Sequence, residues 1–401
     1  MRTEGLLGAD QQLNNPYNSQ YEYYQAHNLC PTFGAFGDES DLAKHEVLRY
    51  NVFRRLTFPT TFFEGKRVIE FGPDTGENAL VFARWGARLT LVEPNDAAHP
   101  YIQEYFSKYG LNAQIEQISG EDLLHHEPRQ QYDVVDAEGF IYTIKPDRLW
   151  IKKFDECLVR HGFAIINYCE LYGSFMELLH KAIYRTALAN GSFGSGQDLA
   201  KRIFLPKWNN IRHTRPFDAW FVDVIESPFV RKAYCIDAVE LMHNMYENGF
   251  VLHASYPHYK NALGIEWIKD EIVPELEMRE AISFIKQSRL SYMLGHDCFV
   301  HREDREVCNS TTALLQITDE LIDAWSPEAC SEALQHLAVI QSATTREKME
   351  GRGAAVLGMV QGVFDRMRDG DIEGLLLLCR NDETFIETWG APCHYAIFQK
   401  S

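Results

Sequence analysis

The sequence predicts an α/β fold with a mostly parallel sheet that carries helices on both faces. Short apolar runs such as Val68–Phe71 and Leu89–Val92 alternate with segments of helical periodicity. A glycine-containing break, Gly72–Gly76, separates the first run from a helix predicted over Glu77–Trp85. Strand, glycine loop, helix and strand make up a right-handed βαβ unit, whose strands run parallel. Because this alternation continues to about residue 170, we expect a doubly wound sheet.

The composition is typical of a globular protein whose main partner is not nucleic acid. The chain has 401 residues, of which 45% are hydrophobic and 24% charged. This length allows one large domain with insertions or two domains. The formal net charge of -18 argues against nucleic acid as a partner, because binding to phosphates requires a basic surface.

Cysteine usage and hydropathy predict a cytoplasmic protein without a membrane partner. The nine cysteines are scattered and form no C-x-x-C motif, as expected for free thiols in a reducing compartment. The N-terminal residues lack an apolar signal core, and no apolar run approaches the length that crosses a bilayer. The adjacent His125 and His126 would point in different directions on a helix, so we expect no metal site.

The glycine loop favours a cationic ligand over a phosphate group. Asp74 and Glu77 stand where the dinucleotide fingerprint G-x-G-x-x-G has glycines. A pyrophosphate would be repelled by these two residues and by Glu70, which offsets the attraction of the helix dipole. The sulfonium and ammonium groups of S-adenosylmethionine suit the loop better. Glu93 closes the second strand about twenty positions past the first glycine, where an acid commonly holds a ribose.

The stretch Glu70–Gly76 resembles motif I, E/D-x-G-x-G-x-G, of the class I S-adenosylmethionine-dependent methyltransferases, with Asp74 in place of the middle glycine. The resemblance extends over roughly residues 62 to 170. It implies a Rossmann-like sheet of seven strands and S-adenosylmethionine as the cofactor. The residues expected to bind this cofactor at the first two strands are Glu70, Gly72, Pro73, Asp74, Gly76, Glu93 and Pro94.

Two segments before the glycine loop could approach the cofactor. The first is rich in aromatic residues, which either pack on the core or form a lid over a ligand: Tyr17, Tyr21, Tyr23, Tyr24 and Phe33. The second is a helix predicted over residues 41–56, which carries Arg49, Arg54 and Arg55. One of these arginines could reach the cofactor carboxylate, and a solvated helix face is the alternative.

Acidic residues follow the third predicted strand, residues 113–118. The resemblance places the adenine amino group beside Glu121 or Asp122. Capping of a helix N-terminus by this pair is an equally acceptable interpretation.

The fourth predicted strand, Tyr132–Val135, leads into the residues that we expect to be catalytic. Ligands of open parallel sheets bind at the carboxyl ends of the strands, and the resemblance places the transferable methyl group at this one. We therefore predict that Asp136, Glu138 and Tyr142 act in catalysis and that Glu138 also contacts the cofactor. A polar loop without a chemical role is the alternative.

A locally basic segment follows the fifth predicted strand, residues 162–168. No acidic residue occurs between Lys201 and Pro216, although the chain is acidic as a whole. We predict that Trp208, Arg212 and Arg215 belong to a lid that binds an anionic acceptor. A solvated surface strip is the alternative.

The remaining segments complete the predicted architecture. The last of them resembles the seventh, antiparallel strand of the family, which lies between the fifth and sixth strands. The predicted divisions are an N-terminal segment and helix (1–60), the cofactor-binding core (61–170), a lid-like insertion (171–234), the core helix and sixth strand (235–262), a helical insertion (263–385) and the closing strand (386–401).

The predicted function is S-adenosylmethionine-dependent methylation of an oxygen or nitrogen atom in a small-molecule or sugar-containing acceptor. Large insertions favour a bulky acceptor over a minimal one, and the helical part could also support a homo-oligomer. The alternative from another class is a catalytically inactive, methyltransferase-like module for assembly or binding. A nicotinamide dehydrogenase is a third hypothesis, which the broken dinucleotide fingerprint disfavours.

Overall fold

The computed structural model of the chain describes residues 15–30, 39–191, 195–211, 215–260, 269, 271–296, 304–346 and 351–401. The chain forms two compact units. The sheet unit consists of Met1–Tyr168, Ala238–Phe284 and His394–Ser401. The helical unit consists of Cys169–Asp237 and Ile285–Cys393.

Strands and helices alternate in the first part of the chain, and helices dominate the second. The strands are β1 (Arg67–Phe71), β2 (Arg88–Val92), β3 (Ile115–Ser119), β4 (Tyr132–Glu138), β5 (Leu158–Cys169), β6 (Phe250–Tyr256) and β7 (Cys393–Lys400). The helices are α1 (Gln20–Ala26), α2 (Glu39–Arg55), α3 (Glu77–Arg84), α4 (His99–Lys108), α5 (Arg148–Cys157), α6 (Phe175–Asn190), α7 (Gly196–Trp208), α8 (Phe217–Trp220), α9 (Ala238–Glu247), α10 (Pro274–Leu294), α11 (Arg305–Asp323), α12 (Pro327–Arg346), α13 (Arg352–Asp369), α14 (Ile372–Asn381) and α15 (Glu383–Glu387).

The seven strands form one sheet in the order β3-β2-β1-β4-β5-β7-β6. The pairs β1–β2, β1–β4, β2–β3 and β4–β5 are parallel, whereas β6 and β7 are antiparallel. The predicted insertion of the closing strand between the fifth and sixth strands is therefore confirmed. Because β7 runs against β6, Tyr395 near its start pairs with Tyr256 at the end of β6. The start of β7 thus reaches the edge at which the parallel strands end.

The structure moves several predicted boundaries. The third strand begins at Ile115 rather than at residue 113, because Asn112–Gln114 form a 3-10 turn. The fourth strand continues to Glu138 because its pairing with β5 extends to the partners Glu138 and Asn167. Two of the residues predicted to lie after the strand, Asp136 and Glu138, are therefore fixed within the sheet.

An aromatic cluster holds α2 against α3 in the sheet unit. Phe53 on α2 packs edge-on against Phe63 at 5.3 Å, Phe82 at 5.9 Å and Trp85 at 5.4 Å between ring centroids. Edge-to-face contacts of this kind add specificity to apolar burial. The cluster sets the rotation of α2, so Arg49, one turn before Phe53, is buried.

Described residues from both segments of the helical unit form a large buried apolar cluster. Side chains such as Leu179 of α6, Ile203 of α7, Leu315 of α11 and Val360 of α13 belong to one buried cluster. The segments predicted as a lid (171–234) and a helical insertion (263–385) thus contribute to the same core, which the sequence analysis did not foresee. Among the described residues, no helix combines the length and apolar character needed to cross a bilayer.

Candidate active site

The glycine loop after β1 turns sharply through residues with positive φ angles. Gly72, Asp74 and Gly76 have φ of 66°, 50° and 90°. Asp74 adopts the left-handed conformation that a glycine would adopt here, which a short polar side chain tolerates better than most. Its N–H donates to Oε2 of Glu93 at 2.9 Å. Replacement of the motif glycine by Asp74 has therefore kept the turn of the loop.

Gly72 also needs to be small. A Cβ atom at this position would lie 2.8 Å from Cε1 of Phe140, the residue that follows β4 by two positions. Contacts below 3.0 Å require a neighbour to move. The Phe140 ring therefore packs directly against the backbone of the loop.

Glu93 at the end of β2 is a buried carboxylate that organises two loops. Its Oε1 accepts a hydrogen bond from the N–H of Asn95 at 2.7 Å, and its Oε2 accepts the N–H of Asp74. Burial raises the pKa of Glu93 to about 8, although both backbone donors oppose the shift. Each carboxylate oxygen keeps a further lone pair that can accept from a diol. The neighbouring Pro94 is half-buried.

Three carboxyl groups lie on one face of the sheet at the ends of β1 and β4. Glu70 pairs in register with Asp136, and Glu138 follows Asp136 by two positions on the same face. Glu70 and Asp136 are 3% and 0% exposed. Among the described residues, no hydrogen-bond donor reaches either oxygen of Asp136 or Oε2 of Glu70.

The environment of these carboxyls favours their protonated forms. Burial, followed by the negative charge of Glu138, raises the pKa of Glu70 to about 8. The same two causes raise the pKa of Asp136 well above its ordinary value. Desolvation and like charges act in the same direction on both groups, so the site is short of positive charge.

Arg49 forms a bidentate ion pair with Glu138. Its two terminal nitrogens donate to the two carboxylate oxygens at 2.8 and 2.7 Å. The hydroxyl of Tyr395 donates to Oε2 of Glu138 at 2.8 Å. The solvated interpretation is thus wrong for Arg49, which is buried, whereas Arg54 and Arg55 are exposed.

Tyr395 is a site residue that the sequence analysis missed. It belongs to the closing strand, which was predicted only as an architectural element. The one available signal was the expected antiparallel insertion of this strand, because that topology brings its first residues to the carboxyl edge.

The other predicted residues after β3 and β4 lie in turns. Asp122 accepts the backbone N–H of His125 at 2.9 Å, and Glu121 lies 2.9 Å from Nδ1 of His126. No helix begins there, so the helix-capping alternative is wrong and Asp122 caps a turn instead. Tyr142 is buried in a 3-10 turn, Ile141–Thr143. Within the described ranges, no group of three or more His, Cys, Asp or Glu residues could hold a metal ion.

The aromatic N-terminal segment packs on the sheet unit and also borders the glycine loop. Tyr23 is buried and packs edge-on against Tyr17 at 5.2 Å. Cys30, which follows α1, accepts a contact from Asn95: the Nδ2 atom of Asn95 lies 3.9 Å from its sulfur. Burial, followed by the charges of Asp74 and Glu93, raises the pKa of Cys30 to about 12. Tyr23 thus packs on the core, as the first interpretation of this segment predicted. A lid over a ligand stays a prediction. Phe33 lies outside the described residues.

Two cations of the basic segment of the helical unit, Lys201 and Arg215, are paired with acids. Lys201 pairs with Asp218 at 3.2 Å, and Arg215 forms an ion pair with Asp223. Both acids follow Pro216, just beyond the stretch that lacks acidic residues. Trp208 is half-buried beside Phe217, and Arg212 lies outside the described residues.

Lys207, the central lysine of that segment, is buried rather than available to a ligand. Its Nζ donates to the carbonyl oxygens of Phe385 and Thr388 and lies 4.4 Å from the ring centroid of Trp389. A lysine held in this way contributes to packing and binds carbonyl oxygens at the end of α15, so it adds no free positive charge to the surface.

Known structures that are similar to the chain share little sequence with it. The N-methyltransferase NodS from Bradyrhizobium japonicum, in complex with S-adenosyl-L-homocysteine, is 14% identical over 37% of this chain and 74% of that chain, with a TM-score of 0.29. The [4+2]-cyclase SpnF is 12% identical over 88% of this chain and 80% of its own, with a TM-score of 0.35. For the glycopeptide N-methyltransferase MtfA, the values are 14% identity, 32% of this chain, 56% of that chain and a TM-score of 0.28. No curated protein sequence matches the chain.

A protein-family model described as a methyltransferase domain matches residues 44–253. This range includes the glycine loop, Glu93 and the three carboxyls at the ends of β1 and β4, and it makes up just over half of the chain. The predicted Rossmann-like, mostly parallel sheet with helical insertions is confirmed. The protein therefore belongs to this methyltransferase family, within the class I S-adenosylmethionine-dependent methyltransferases.

Proposed function

We propose that the protein transfers a methyl group from S-adenosylmethionine to an oxygen or nitrogen atom of a small-molecule or sugar-containing acceptor. The observation that carries the proposal is the surplus of buried negative charge around the glycine loop. Glu70 and Asp136 have no donor for three of their carboxyl oxygens among the described residues. Such groups require a cationic partner or protons.

The residues present fit S-adenosylmethionine. Glu70 and Asp136 would hold its ammonium group, and the backbone of the loop from Gly72 to Gly76 would lie against the cofactor. Glu93 would accept hydrogen bonds from the ribose diol, and Glu121 or Asp122 would accept one from the adenine amino group. When bound, the cofactor supplies an electrophilic methyl group on its sulfonium sulfur.

The chain's own contribution is alignment of the reactants and exclusion of water. Glu138 already accepts hydrogen bonds from Arg49 and Tyr395, which fix its position. We therefore assign Glu138 a positioning role rather than proton abstraction. Because Asp136 would hold the ammonium group, Tyr142 remains the candidate for accepting a proton from a hydroxyl acceptor.

The structure reduces the support for an anionic acceptor. The positive charges of Lys201 and Arg215 are offset by Asp218 and Asp223. We therefore propose an acceptor with no required negative charge. The alternative of an inactive module rested on Asp74, whose positive φ of 50° supports a loop that still makes the turn of the motif.

Calorimetry with S-adenosylmethionine, S-adenosylhomocysteine and NADH tests the proposal. We expect the first two to bind at one site and NADH not to bind. Binding of NADH alone, or of none of the three, would contradict it. Formation of S-adenosylhomocysteine in the presence of pooled amines or pooled alcohols would then separate nitrogen from oxygen acceptors.

A further inference from the structure

The carboxyl pair formed by Glu70 and Asp136 has too little positive charge around it to be fully ionised. The two residues are register partners on neighbouring parallel strands and face the same side of the sheet. Both are almost completely buried. Two buried carboxyls at register positions on neighbouring strands are not both charged unless a cation or a proton compensates one of them.

The charged groups that act on the pair come from every element packed around it. Arg49 on α2 is the cation that acts most strongly on both carboxyls. Its guanidinium is already bound at both terminal nitrogens by Glu138. The acids that act on the pair are Glu77 on α3, Glu93 on β2 and Glu138 on β4, whereas Tyr395 on β7 and His45 on α2 interact with Arg49.

We propose that Glu70 and Asp136 together hold a proton in the ligand-free protein and release it to solvent when the ammonium group of the cofactor binds. This inference rests on the proposed function. The step balances simply: one carboxylic acid loses its proton to the buffer, and the carboxylate that remains is compensated by the incoming cation. Both residues then become ligand-binding groups, and cofactor affinity depends on pH.

The coupling between proton release and cofactor binding determines how the affinity changes with pH. The free protein must give up a proton before it binds, so removing protons from solution favours the complex. Affinity should rise with pH through the range in which the pair titrates and then level off. The pKa of Glu70, which burial and neighbouring acids raise to about 8, places that rise around neutral and mildly alkaline pH.

Calorimetry in buffers with different ionisation enthalpies measures the released proton directly. The probe is S-adenosylhomocysteine, which carries the ammonium group but no charged sulfur, at pH 7 in phosphate and in Tris. We expect the observed enthalpies to differ by an amount that corresponds to about one proton released per ligand bound. The control ligand is 5′-methylthioadenosine, which lacks the amino-acid part and should release none.

Matched variants locate the proton. In the double variant Glu70→Gln with Asp136→Asn, neither member of the pair can hold a proton, so S-adenosylhomocysteine should bind more weakly and the buffer difference should disappear. Each single variant should keep part of the difference, because its remaining carboxyl is still buried beside Glu138. Asp133→Asn is the control, because Asp133 lies at the other end of β4 and accepts the N–H of Arg67 at 2.9 Å. This variant should release the proton as the wild type does.

The outcomes separate the inference from the function on which it rests. Binding of S-adenosylhomocysteine with the same enthalpy in both buffers would overturn the proton release and leave the proposed function intact. Failure of wild type to bind this ligand would overturn both. Proton release that persists in the double variant Glu70→Gln with Asp136→Asn would show that the proton comes from another group.

Discussion

At the scale of single residues, Asp74 and Glu93 show how the loop keeps its turn without the middle glycine. The sequence indicated the position of Glu93, because an acid at the end of the second strand is a positional signal, and its role toward a ribose stays a prediction. It could not show that Glu93 also binds the backbone of Asp74 and Asn95. Those contacts depend on the geometry of the loops, which the spacing of apolar residues along the sequence does not predict.

Replacement of Glu93 tests its role toward the cofactor. Glu93→Ala should weaken S-adenosylmethionine binding by about 1–3 kcal/mol, through the loss of charge-assisted hydrogen bonds. Glu93→Gln should cost less, because its amide oxygen can still accept from Asp74 or Asn95. Glu116→Gln, an exposed acid in β3, should bind as wild type does. Unchanged affinity in both Glu93 variants by calorimetry would exclude the ribose assignment.

Glu70 should make stability depend on pH in the opposite direction to an ordinary carboxylate. Its pKa is raised from 4.5 in the unfolded chain to about 8 in the folded protein, so the folded protein binds the extra proton. Its contribution is complete below about pH 4.5 and is lost as pH rises toward 8, by up to roughly 1.4 kcal/mol per pH unit. Denaturant unfolding between pH 5 and 8 should show a shallower decline for Glu70→Gln. Parallel profiles for variant and wild type would refute this.

At the scale of elements, α2 and β7 carry the parts of the site that the sequence did not reveal. Arg49, Arg54 and Arg55 were indistinguishable by residue type, and the aromatic packing of Phe53 decided which of them is buried. The acceptor-binding role of the basic segment stays a prediction, although the structure pairs two of its cations, Lys201 and Arg215, with acids. Its neutralising acids lie a few residues further along the chain, and only the fold brings Asp223 back to Arg215.

The Arg49–Glu138 pair should matter more for stability than a surface ion pair. Arg49→Met leaves Glu138 mostly buried and without its cation, which should cost about 3–5 kcal/mol of unfolding free energy. The double variant Arg49→Met with Glu138→Gln should recover part of this loss, because no charge is then left unpaired. Chemical denaturation measures both. A loss of less than about 1 kcal/mol in the single variant would place the pair with exposed ion pairs.

The closing strand should be required for folding of the sheet unit. Removing residues 392–401 deletes β7, which lies between β5 and β6 and supplies Tyr395 to Glu138. We expect the loss of cooperative unfolding in circular dichroism. A truncated chain that unfolds as wild type does would mean that β7 contributes little to the sheet.

At the scale of the whole molecule, the alternation of strands and helices predicted a mostly parallel sheet, and the resemblance to the methyltransferase family implied the antiparallel strand between β5 and β6. Helical periodicity likewise identified the second part of the chain as helical. Periodicity shows that a helix has an apolar face but not which other helix covers it. The sequence pattern therefore could not predict that Cys169–Asp237 and Ile285–Cys393 pack together into one helical unit.

The central claim is that buried acids around the glycine loop of the sheet unit bind a cationic nucleoside cofactor. A crystal structure of the full chain with S-adenosylhomocysteine tests it most directly. We predict the ribose hydroxyls at Glu93, the amino group at Glu70 and Asp136, and the ligand running along Gly72–Gly76. A ligand bound elsewhere on the chain, or a ribose out of hydrogen-bonding reach of Glu93, would contradict the account.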